Sequence, residues 1–347
     1  MTLAQASGGL QKKEFSSTEL AKSSLQRIEA TDKELHCFIT VSDKEALASA
    51  KKADARIKRG EEGALLGIPA SIKDVIATKG VKTTACSNIL RDYIPPYNAT
   101  CVQKLEDAGM VMVGKTNCDA FAHGASTENS DFGPSRNPWD TSRVPGGSSG
   151  GSAASMAAQH TFYTLGTDTG GSIRQPASFV GITSLKPTYG RISRYGLFSM
   201  TSSTDVVSPM AKTAEDIAII MEAISGRDSR DGTTLDKPVP RFRAELAKSD
   251  MKGRKIGVPK EYFIDGLYPS VRRAVEAAIE SYKALGADIV PISLPHTSYA
   301  VAVYYIITPS EVSSNLARYD GIRFGYSAAT DKEHQDEAKS LFDVYTK

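Results

Sequence analysis

Two segments rich in glycine and serine lie close together near the middle of the chain and constrain its fold more than any other feature. They span residues 144–154 and 166–177, and Ser148 and Ser172 within them are 24 residues apart. An alanine-rich helical pattern and a short apolar run separate the two segments. A flexible linker would join domains, whereas the first segment runs directly into a helix and a strand. We therefore expect an ordered loop inside a domain.

Short apolar runs alternate with helical patterns from residue 65 onwards, which is typical of an α/β domain with a parallel or mixed sheet. No segment has the composition of a linker between domains, so we expect a single domain over residues 1–347. The predicted strands cover residues 65–75, 110–113, 162–165, 255–259 and 287–292, and the predicted helices between and after them cover residues 99–108, 153–158, 213–225 and 270–285.

The two ends of the chain have helical patterns of a different kind. Residues 1–60 predict two helices, and Ser16 and Ser42 each stand where a capping box would start one. Residues 227–250 are polar and predict a long surface loop, whereas residues 331–347 have a charged helical pattern.

The composition excludes several classes of protein. Lysine and arginine number 42 and aspartate and glutamate 40, so the net charge of +2 gives no electrostatic case for nucleic-acid binding. The four cysteines contain no CxxC pair and the five histidines no HxxxH, so no metal site is predicted and the thiols are expected to be free in a reducing cytosol. Residues 1–25 lack a signal-peptide pattern, and no apolar run of about 18 residues exists to span a membrane. These features predict a cytoplasmic protein.

The first glycine-rich segment fits two common motifs poorly. It lacks the lysine that a Walker A loop places on nucleotide phosphates. It does contain a GxSxG sequence around Ser148, but none of the three later histidines, of which His160 is the first, stands where a hydrolase of that kind would have its base. A lysine is the next candidate for a base, because burial favours its neutral form. Lys73 lies inside an apolar run, although a lysine at a strand end that reaches water would have the same pattern.

Three segments together resemble the amidase signature family, which pairs a GIPxxxKD lysine with serines in GGSSGGS and GSDTGGSIRxPA. Residues 67–74, 146–152 and 166–177 match them in order and spacing. The resemblance implies the amidase signature fold, an α/β fold with a mixed, mostly parallel central sheet covered by helices on both faces. It runs from near residue 10 to about residue 326.

The family's catalytic scheme implies a role for each matched residue. Ser172 would be the nucleophile, Lys73 the neutral base and Ser148 the proton relay between them, with a cis peptide bond before Ser148. Asp168 and Ser149 would support the loops through hydrogen bonds. The oxyanion hole would be formed by the backbone N–H groups of Thr169, Gly170, Gly171 and Ser172. Contacts with substrate are expected from Ser126, Asp168 and Tyr304, with Tyr305 as the alternative to Tyr304.

Within this family the sequence is most similar to the A subunits of the bacterial glutamyl-tRNA(Gln)/aspartyl-tRNA(Asn) amidotransferases, with supporting segments at residues 93–100, 114–117, 186–191 and 313–323. That similarity implies hydrolysis of glutamine, with the ammonia passing to a complex with B and C subunits as a heterotrimer. The partner subunit would use ATP and Mg²⁺, and tRNA would bind through the complex; this chain itself is expected to hold no cofactor.

The sequence also departs from that family pattern. Ala120 and His123 replace a glutamate and a methionine, and Val206 and Val207 replace a more polar pair. Family members are considerably longer, so the C-terminal part of the fold is expected to be missing here. Two alternatives therefore remain: a stand-alone amidase that acts on another amide, and an inactive truncated chain.

Overall fold

A computed structural model describes residues 1–248, 250–320 and 325–346. The chain forms two compact units: Met1–Arg243 with Glu311–Lys347, and Ala244–Ser310. The expectation of a single domain over residues 1–347 remains a prediction. No helix in the described part of the chain combines the length and the apolar character that crossing a membrane requires.

The helices begin and end as follows in chain order: α1 Leu3–Gln11, α2 Ser17–Leu35, α3 Asp43–Lys58, α4 Thr100–Asp107, α5 Gly150–Ala157, α6 Arg174–Val180, α7 Ala214–Ile224, α8 Phe242–Ala247, α9 Pro269–Ala284, α10 Ala300–Leu316 and α11 Leu341–Thr346. The strands are β1 Phe38–Val41, β2 Pro69–Lys73, β3 Val111–Thr116, β4 Tyr163–Asp168, β5 Thr183–Ser184, β6 Val206–Ala211, β7 Lys255–Pro259 and β8 Asp288–Ile292.

The larger unit contains a six-stranded sheet with the order β1-β3-β2-β4-β6-β5. The three central strands β3, β2 and β4 are parallel, whereas β1, β6 and β5 add antiparallel pairs. The predicted mixed sheet is therefore confirmed. It is not mostly parallel in the described residues, where two parallel pairs lie at the centre and three antiparallel pairs lie toward the edges.

Helices cover both faces of this sheet, as predicted. Successive side chains of a strand point to opposite faces. Ala70 and Ile72 of β2 belong to the main apolar cluster, which also contains residues of α4 and α7. Ser71, between them, lies on the other face, where its Oγ is 3.4 Å from Ser155 Oγ of α5. By the same alternation, Lys73 lies on the α5 face at the carboxyl end of β2.

The smaller unit contains one strand–helix–strand motif, together with parts of α8 and α10. β7 and β8 pair in parallel from Lys255 with Asp288 to Pro259 with Ile292, and α9 connects them. No residue of α9 is buried. The predicted strands at residues 255–259 and 287–292 are both confirmed.

Two local predictions at helix ends had different outcomes. Ser16 caps α2 with the predicted capping box, in which its Oγ accepts from Glu19 N at 3.1 Å. Ser42 makes no side-chain cap for α3, and its own N–H donates instead to Val113 O of β3 at 2.9 Å.

The predicted helix over residues 331–347 is largely wrong: the described part is helical only in α11. Residues 227–250 are mostly loop, as expected, but contain α8.

Candidate active site

Lys73 ends β2 in a fully buried position surrounded by hydroxyl groups. Its side chain has no solvent-exposed surface. Its Nζ lies 2.8 Å from Ser148 Oγ, 2.9 Å from Ser149 Oγ and 2.9 Å from Thr167 Oγ1. The amino group forms no ion pair with a described carboxylate. The lysine predicted from an apolar run is therefore a buried side chain and does not reach water.

The hydrogen bonds around Lys73 fit a neutral amine, which has two N–H donors and one lone pair. Ser149 Oγ donates to Thr167 O at 3.1 Å, so it can only accept from the lysine. Thr167 Oγ1 accepts the second N–H. Nζ donates to Ser148 Oγ in the structure, and Ser148 Oγ has no other hydrogen-bond partner among the described residues. When the amine is neutral, the Ser148 proton can therefore point at the lone pair of Nζ instead. This arrangement allows a proton to pass from Ser148 to Lys73.

Burial lowers the pKa of Lys73 from its ordinary value, because desolvation penalises the ammonium form. The ionisable groups of Cys118, Asp119, Cys86 and Asp205 act in the opposite direction. Burial is the larger of the two effects, so Lys73 reaches the neutral form that a general base requires at a lower pH than an exposed lysine does.

The loop that carries Ser148 follows a glycine that cannot be replaced by a larger residue. The Gly147–Ser148 peptide bond is cis, as the resemblance implies. A Cβ at Gly147 would lie 2.6 Å from Ser126 N, where no side chain fits. Gly147 N donates to Gln175 Oε1 at 2.9 Å, which ties this loop to α6. On the other side, Thr127 Oγ1 donates to Gly146 O at 2.9 Å.

Asp168 organises the second glycine-rich loop from a fully buried position. Its carboxylate accepts from Gly171 N at 3.0 Å, from Ile173 N at 3.2 Å and from Arg174 at 2.9 and 3.0 Å. Burial alone would raise the pKa of Asp168, but the hydrogen bonds and charge of Arg174 outweigh it and lower the pKa. The carboxylate supports the loop, as expected, and its predicted contact with substrate remains a prediction.

Ser172 lies at the accessible side of the site and keeps 8% of its surface exposed. Its carbonyl accepts from Ser149 N at 3.1 Å, so the backbone joins the two serine loops. No hydrogen bond joins Ser172 Oγ to Ser148 Oγ within the described residues. The structure thus brings Lys73 and Ser148 into contact and holds the Ser172 loop beside them, with the Ser172 hydroxyl not engaged in the relay.

Three of the four predicted oxyanion donors are available. Gly171 N–H is already bonded to Asp168 Oδ1 at 3.0 Å. The N–H groups of Thr169, Gly170 and Ser172 have no acceptor among the described residues. Thr169 Oγ1 donates to Asp205 Oδ1 at 2.5 Å, which holds the start of this loop in place.

The predicted substrate residues have different surroundings. Ser126 is half-buried and lies beside Gly147, at the edge of the site. Tyr304 belongs to the smaller unit, on α10, where it is half-buried and packs edge-on against Tyr305 at 5.5 Å. Tyr305 is 68% exposed, and the choice between the two remains a prediction. Part of the supporting segment 313–323 lies outside the described residues.

Sequence reasoning missed three residues that organise the site: Thr167, Thr127 and Gln175. Thr167 and Gln175 lie inside the second glycine-rich segment. The sequence gives their positions in that segment but not the atoms that their side chains contact. Thr127 lies in the same segment as Ala120 and His123, and its contact with the serine loop was not predicted because that loop is a different part of the chain. His160, considered as the base of a serine–histidine pair, contacts Thr31 and neither serine.

Comparison with known proteins identifies the family of this chain. A family model described as Amidase matches residues 19–347. The A subunit of glutamyl-tRNA(Gln) amidotransferase from Geobacter metallireducens is 50% identical over 347 residues, all of this chain and 70% of the relative. Its counterpart from Geotalea daltonii is 52% identical with the same coverage. The relatives are longer than this chain, as predicted.

Solved structures give the same fold. The crystal structure of the A subunit of glutamyl-tRNA(Gln) amidotransferase from Thermotoga maritima has a TM-score of 0.81 and 38% identity, covering all of this chain and 70% of that one. A peptide amidase from Stenotrophomonas maltophilia has a TM-score of 0.84 and 28% identity, covering all of this chain and 75% of that one. The predicted amidase signature fold is thereby confirmed.

Proposed function

The chain belongs to the amidase family, and we propose that it is the glutamine-hydrolysing A subunit of a tRNA-dependent amidotransferase. Two findings support the proposal: relatives of that name are about half identical over the whole chain, and a buried lysine is surrounded by three hydroxyl groups. The surroundings of the lysine are the main support for the proposed mechanism. A lysine that contacts hydroxyl groups instead of a carboxylate can be neutral at the working pH and can then act as a base.

In the proposed reaction, Ser172 Oγ attacks the side-chain amide carbon of glutamine. The proton of Ser172 passes to Ser148 Oγ, whose own proton passes to the lone pair of Lys73 Nζ. For this step the Ser172 hydroxyl rotates toward Ser148. The developing oxyanion accepts hydrogen bonds from the free N–H groups of Thr169, Gly170 and Ser172, and the loss of one such donor typically raises the barrier by about 3–4 kcal/mol.

The intermediate then collapses with loss of ammonia. The C–N bond breaks as the proton held by Lys73 returns through Ser148 to the leaving nitrogen. The γ-glutamyl group remains as an ester on Ser172. A water molecule, deprotonated by the same pair of residues, hydrolyses the ester to glutamate and restores both serines.

The remaining parts of the proposal concern the assembly. The chain would act in the cytoplasm, bound to B and C subunits in a heterotrimer that receives the ammonia. ATP and Mg²⁺ would be used by the partner subunit, and tRNA would bind through the complex. Ser126, Asp168 and Tyr304 are proposed to contact glutamine.

A second candidate is a stand-alone amidase, which is favoured by the likeness to a peptide amidase. The triad chemistry would be the same, and only the amide would differ. The two candidates are separated by the dependence of turnover on partner subunits.

The test measures ammonia release from glutamine by the full chain, alone and reconstituted with B and C subunits, ATP, Mg²⁺ and glutamyl-tRNA(Gln). We expect hydrolysis in the complex and formation of glutaminyl-tRNA(Gln). Ser172→Ala and Lys73→Met should each lower kcat by on the order of 10⁴-fold, because the loss of one member of a catalytic triad removes most of the contribution of the whole triad.

Ser155→Ala is the matched control, since Ser155 is a buried serine of α5 whose Oγ donates to Ser152 O at 2.9 Å. It should retain activity. The stand-alone amidase would be supported if the chain alone hydrolysed a peptide amide and the complex did not hydrolyse glutamine. Full activity of Ser172→Ala would reject the assigned nucleophile in both candidates.

A further inference from the structure

A second cluster of reactive side chains lies away from the triad. Ligand atoms of Asp32, Cys37 and His160 all lie within 4.8 Å of one another. Asp32 belongs to the last turns of α2, Cys37 immediately precedes β1, and His160 stands between α5 and β4. Cys37 and His160 are fully buried, whereas Asp32 is half-buried. A thiol, an imidazole and a carboxylate thus meet at one point with access from the Asp32 side.

The hydrogen bonds of Thr31 determine which nitrogen of His160 carries the proton. Thr31 Oγ1 donates its only proton to Arg27 O at 2.9 Å. The 2.7 Å contact between Thr31 Oγ1 and His160 Nε2 therefore has the ring nitrogen as donor. The lone pair is consequently on Nδ1, which is buried and has no hydrogen-bond partner in the described chain.

An acceptor nitrogen that is buried without a partner destabilises the folded chain, because it loses hydrogen bonds to water and gains none in return. A ligand that binds Nδ1 would remove this destabilisation. Histidines that bind metal ions almost always donate their other N–H to a fixed acceptor, which sets the tautomer. His160 has this arrangement through Thr31. Asp32 is held in a similar way, because its carboxylate accepts from Cys37 N at 2.7 Å and Phe38 N at 3.3 Å.

We propose that Asp32, Cys37 and His160 form a binding site for a divalent transition-metal ion of the zinc class. The ligands would be His160 Nδ1, Cys37 Sγ and one oxygen of Asp32, with water in the fourth position. This mixed N, S and O set suits Zn²⁺. The thiolate and carboxylate together balance the charge of the ion, and the thiol proton is released to solvent on binding.

The geometry requires a small closure. Zinc bonds of about 2.0–2.3 Å place tetrahedral ligand atoms roughly 3.3–3.8 Å apart, so ligand atoms that lie up to 4.8 Å apart would have to approach by about 1 Å. Arg27 is the cation that acts on His160, but it is exposed to water and its Nε already donates to Ala158 O at 3.0 Å.

The site is structural rather than catalytic. His160 precedes β4 and the Ser172 loop follows it, so a strand of six residues at about 3.3 Å each separates the two by roughly 20 Å. An ion here would join the end of α2 to the segment between α5 and β4, which are far apart in the chain. Bound metal should therefore raise thermal stability.

The test uses Co²⁺ as a spectroscopic probe of the metal-free full chain, followed by displacement with Zn²⁺. We expect one Co²⁺ per chain with visible d–d bands and a thiolate-to-cobalt charge-transfer band, and a Tm that rises with Zn²⁺. Binding should weaken as the pH falls, because the thiol and the imidazole then retain protons. Cys37→Ser should abolish the charge-transfer band, and His160→Gln should lower the affinity at least tenfold.

Cys101→Ser is the matched control, because Cys101 is an equally buried thiol on α4, outside the cluster. It should bind Co²⁺ like the native chain. Absence of a thiolate band from the native chain would overturn the proposal without recourse to any variant. Retention of that band by Cys37→Ser, or its loss in Cys101→Ser, would also overturn the proposal.

Discussion

Two lysines in the described part of the chain are fully buried, and their partners distinguish them. Lys73 Nζ contacts three hydroxyl oxygens. Lys115 Nζ lies 3.7 Å from Asp74 Oδ1 and donates to Ile76 O at 2.6 Å. A nearby carboxylate favours the ammonium form of a lysine. A hydroxyl group carries no net charge and can form a hydrogen bond with either the ammonium or the neutral amine. Burial by itself therefore does not make a lysine a base; the partners of its amino group matter as well.

Asp119 provides a residue-scale prediction for the pH dependence of the proposed reaction. Its Oδ1 accepts from Thr127 N at 3.0 Å, and its Oδ2 is buried without a partner in the described chain. Its negative charge favours protonated Lys73 and so raises the pKa of that lysine against the larger effect of burial. Asp119→Asn should lower the pKa of Lys73 further. The acidic limb of the kcat/KM profile for glutamine should therefore move to lower pH.

The exposed Glu29→Gln variant is the control for this profile, because it removes one negative charge from the surface of α2. It should leave the acidic limb in place. An Asp119→Asn profile that moves to higher pH, or does not move, would contradict the assigned role of Lys73.

His160 provides a second residue-scale prediction, for stability. Burial, with a smaller contribution from Arg27, lowers the pKa of His160 from 6.5 to about 4. The unfolded chain therefore takes up this proton at higher pH than the folded chain does. The stabilisation is complete above about pH 6.5 and is lost as the pH falls toward 4, which amounts to about 2–3 kcal/mol at pH 4.5.

The measurement is urea unfolding at pH 7 and pH 4.5, with a chelator present, for the native chain and for His160→Gln. Glutamine does not titrate, so the variant should lose about 2–3 kcal/mol less than the native chain over this interval. Equal losses in the two proteins would show that His160 is not the titrating group.

At the scale of elements, the carboxyl ends of the parallel strands β2 and β4 carry the site. β2 ends at Lys73, and β4 ends at Asp168, next to the Ser172 loop. The residue after β2, Asp74, pairs with Lys115 of β3, so an ionic contact lies directly behind the proposed base. Burial raises the pKa of Asp74 and lowers that of Lys115 to about 8. Burial therefore disfavours the charged form of both residues.

The prediction at this scale concerns that ion pair. Lys115→Met should lower the free energy of unfolding by about 3–5 kcal/mol, because it leaves the Asp74 carboxylate buried without a counter-charge. Asp74→Asn combined with Lys115→Met should cost clearly less than the sum of the two single changes. Urea denaturation of the four proteins measures this coupling.

Lys51→Met, on the exposed side of α3, is the control for the loss of a lysine and should change stability by no more than about 0.5 kcal/mol. Strict additivity of the two core substitutions would show that the pair is not coupled.

At the scale of the whole molecule, the two compact units differ in how much they bury. Every residue of β2 and β4 in the larger unit is buried. In the smaller unit, α9 buries none of its residues and its sheet has two strands. A two-stranded sheet with little buried surface is marginally stable.

We therefore expect hydrogen exchange to separate the units. Amides of β7 and β8 should exchange much faster than those of β2 and β4, because regions with few buried contacts open at low free-energy cost. Exchange followed by mass spectrometry of the full chain measures this. The amides of β5, a two-residue strand of the larger unit, serve as an internal reference for a short strand. Equal protection of β2 and β7 would contradict the expectation.

The sequence alone determined the elements and the motifs, because both depend on residues close together in the chain. Alternation of apolar runs with helical patterns predicted the α/β fold, and the Ser16 capping box predicted where α2 begins. Three short segments were enough to place Lys73, Ser148 and Ser172 in one family pattern. Each apolar run, capping box and motif segment that carries these signals spans about a dozen residues or fewer.

The tertiary structure decided every contact between distant segments, because such pairs leave no local pattern. Thr127 reaches the serine loop from outside its motif, and Ser42 fails as a cap while its N–H is taken by β3. The pairing of Lys115 with Asp74 required two strands to lie side by side. Asp32 and His160 are 128 residues apart. No spacing rule could have brought them together; only the packing of α2 against the chain that enters β4 does so.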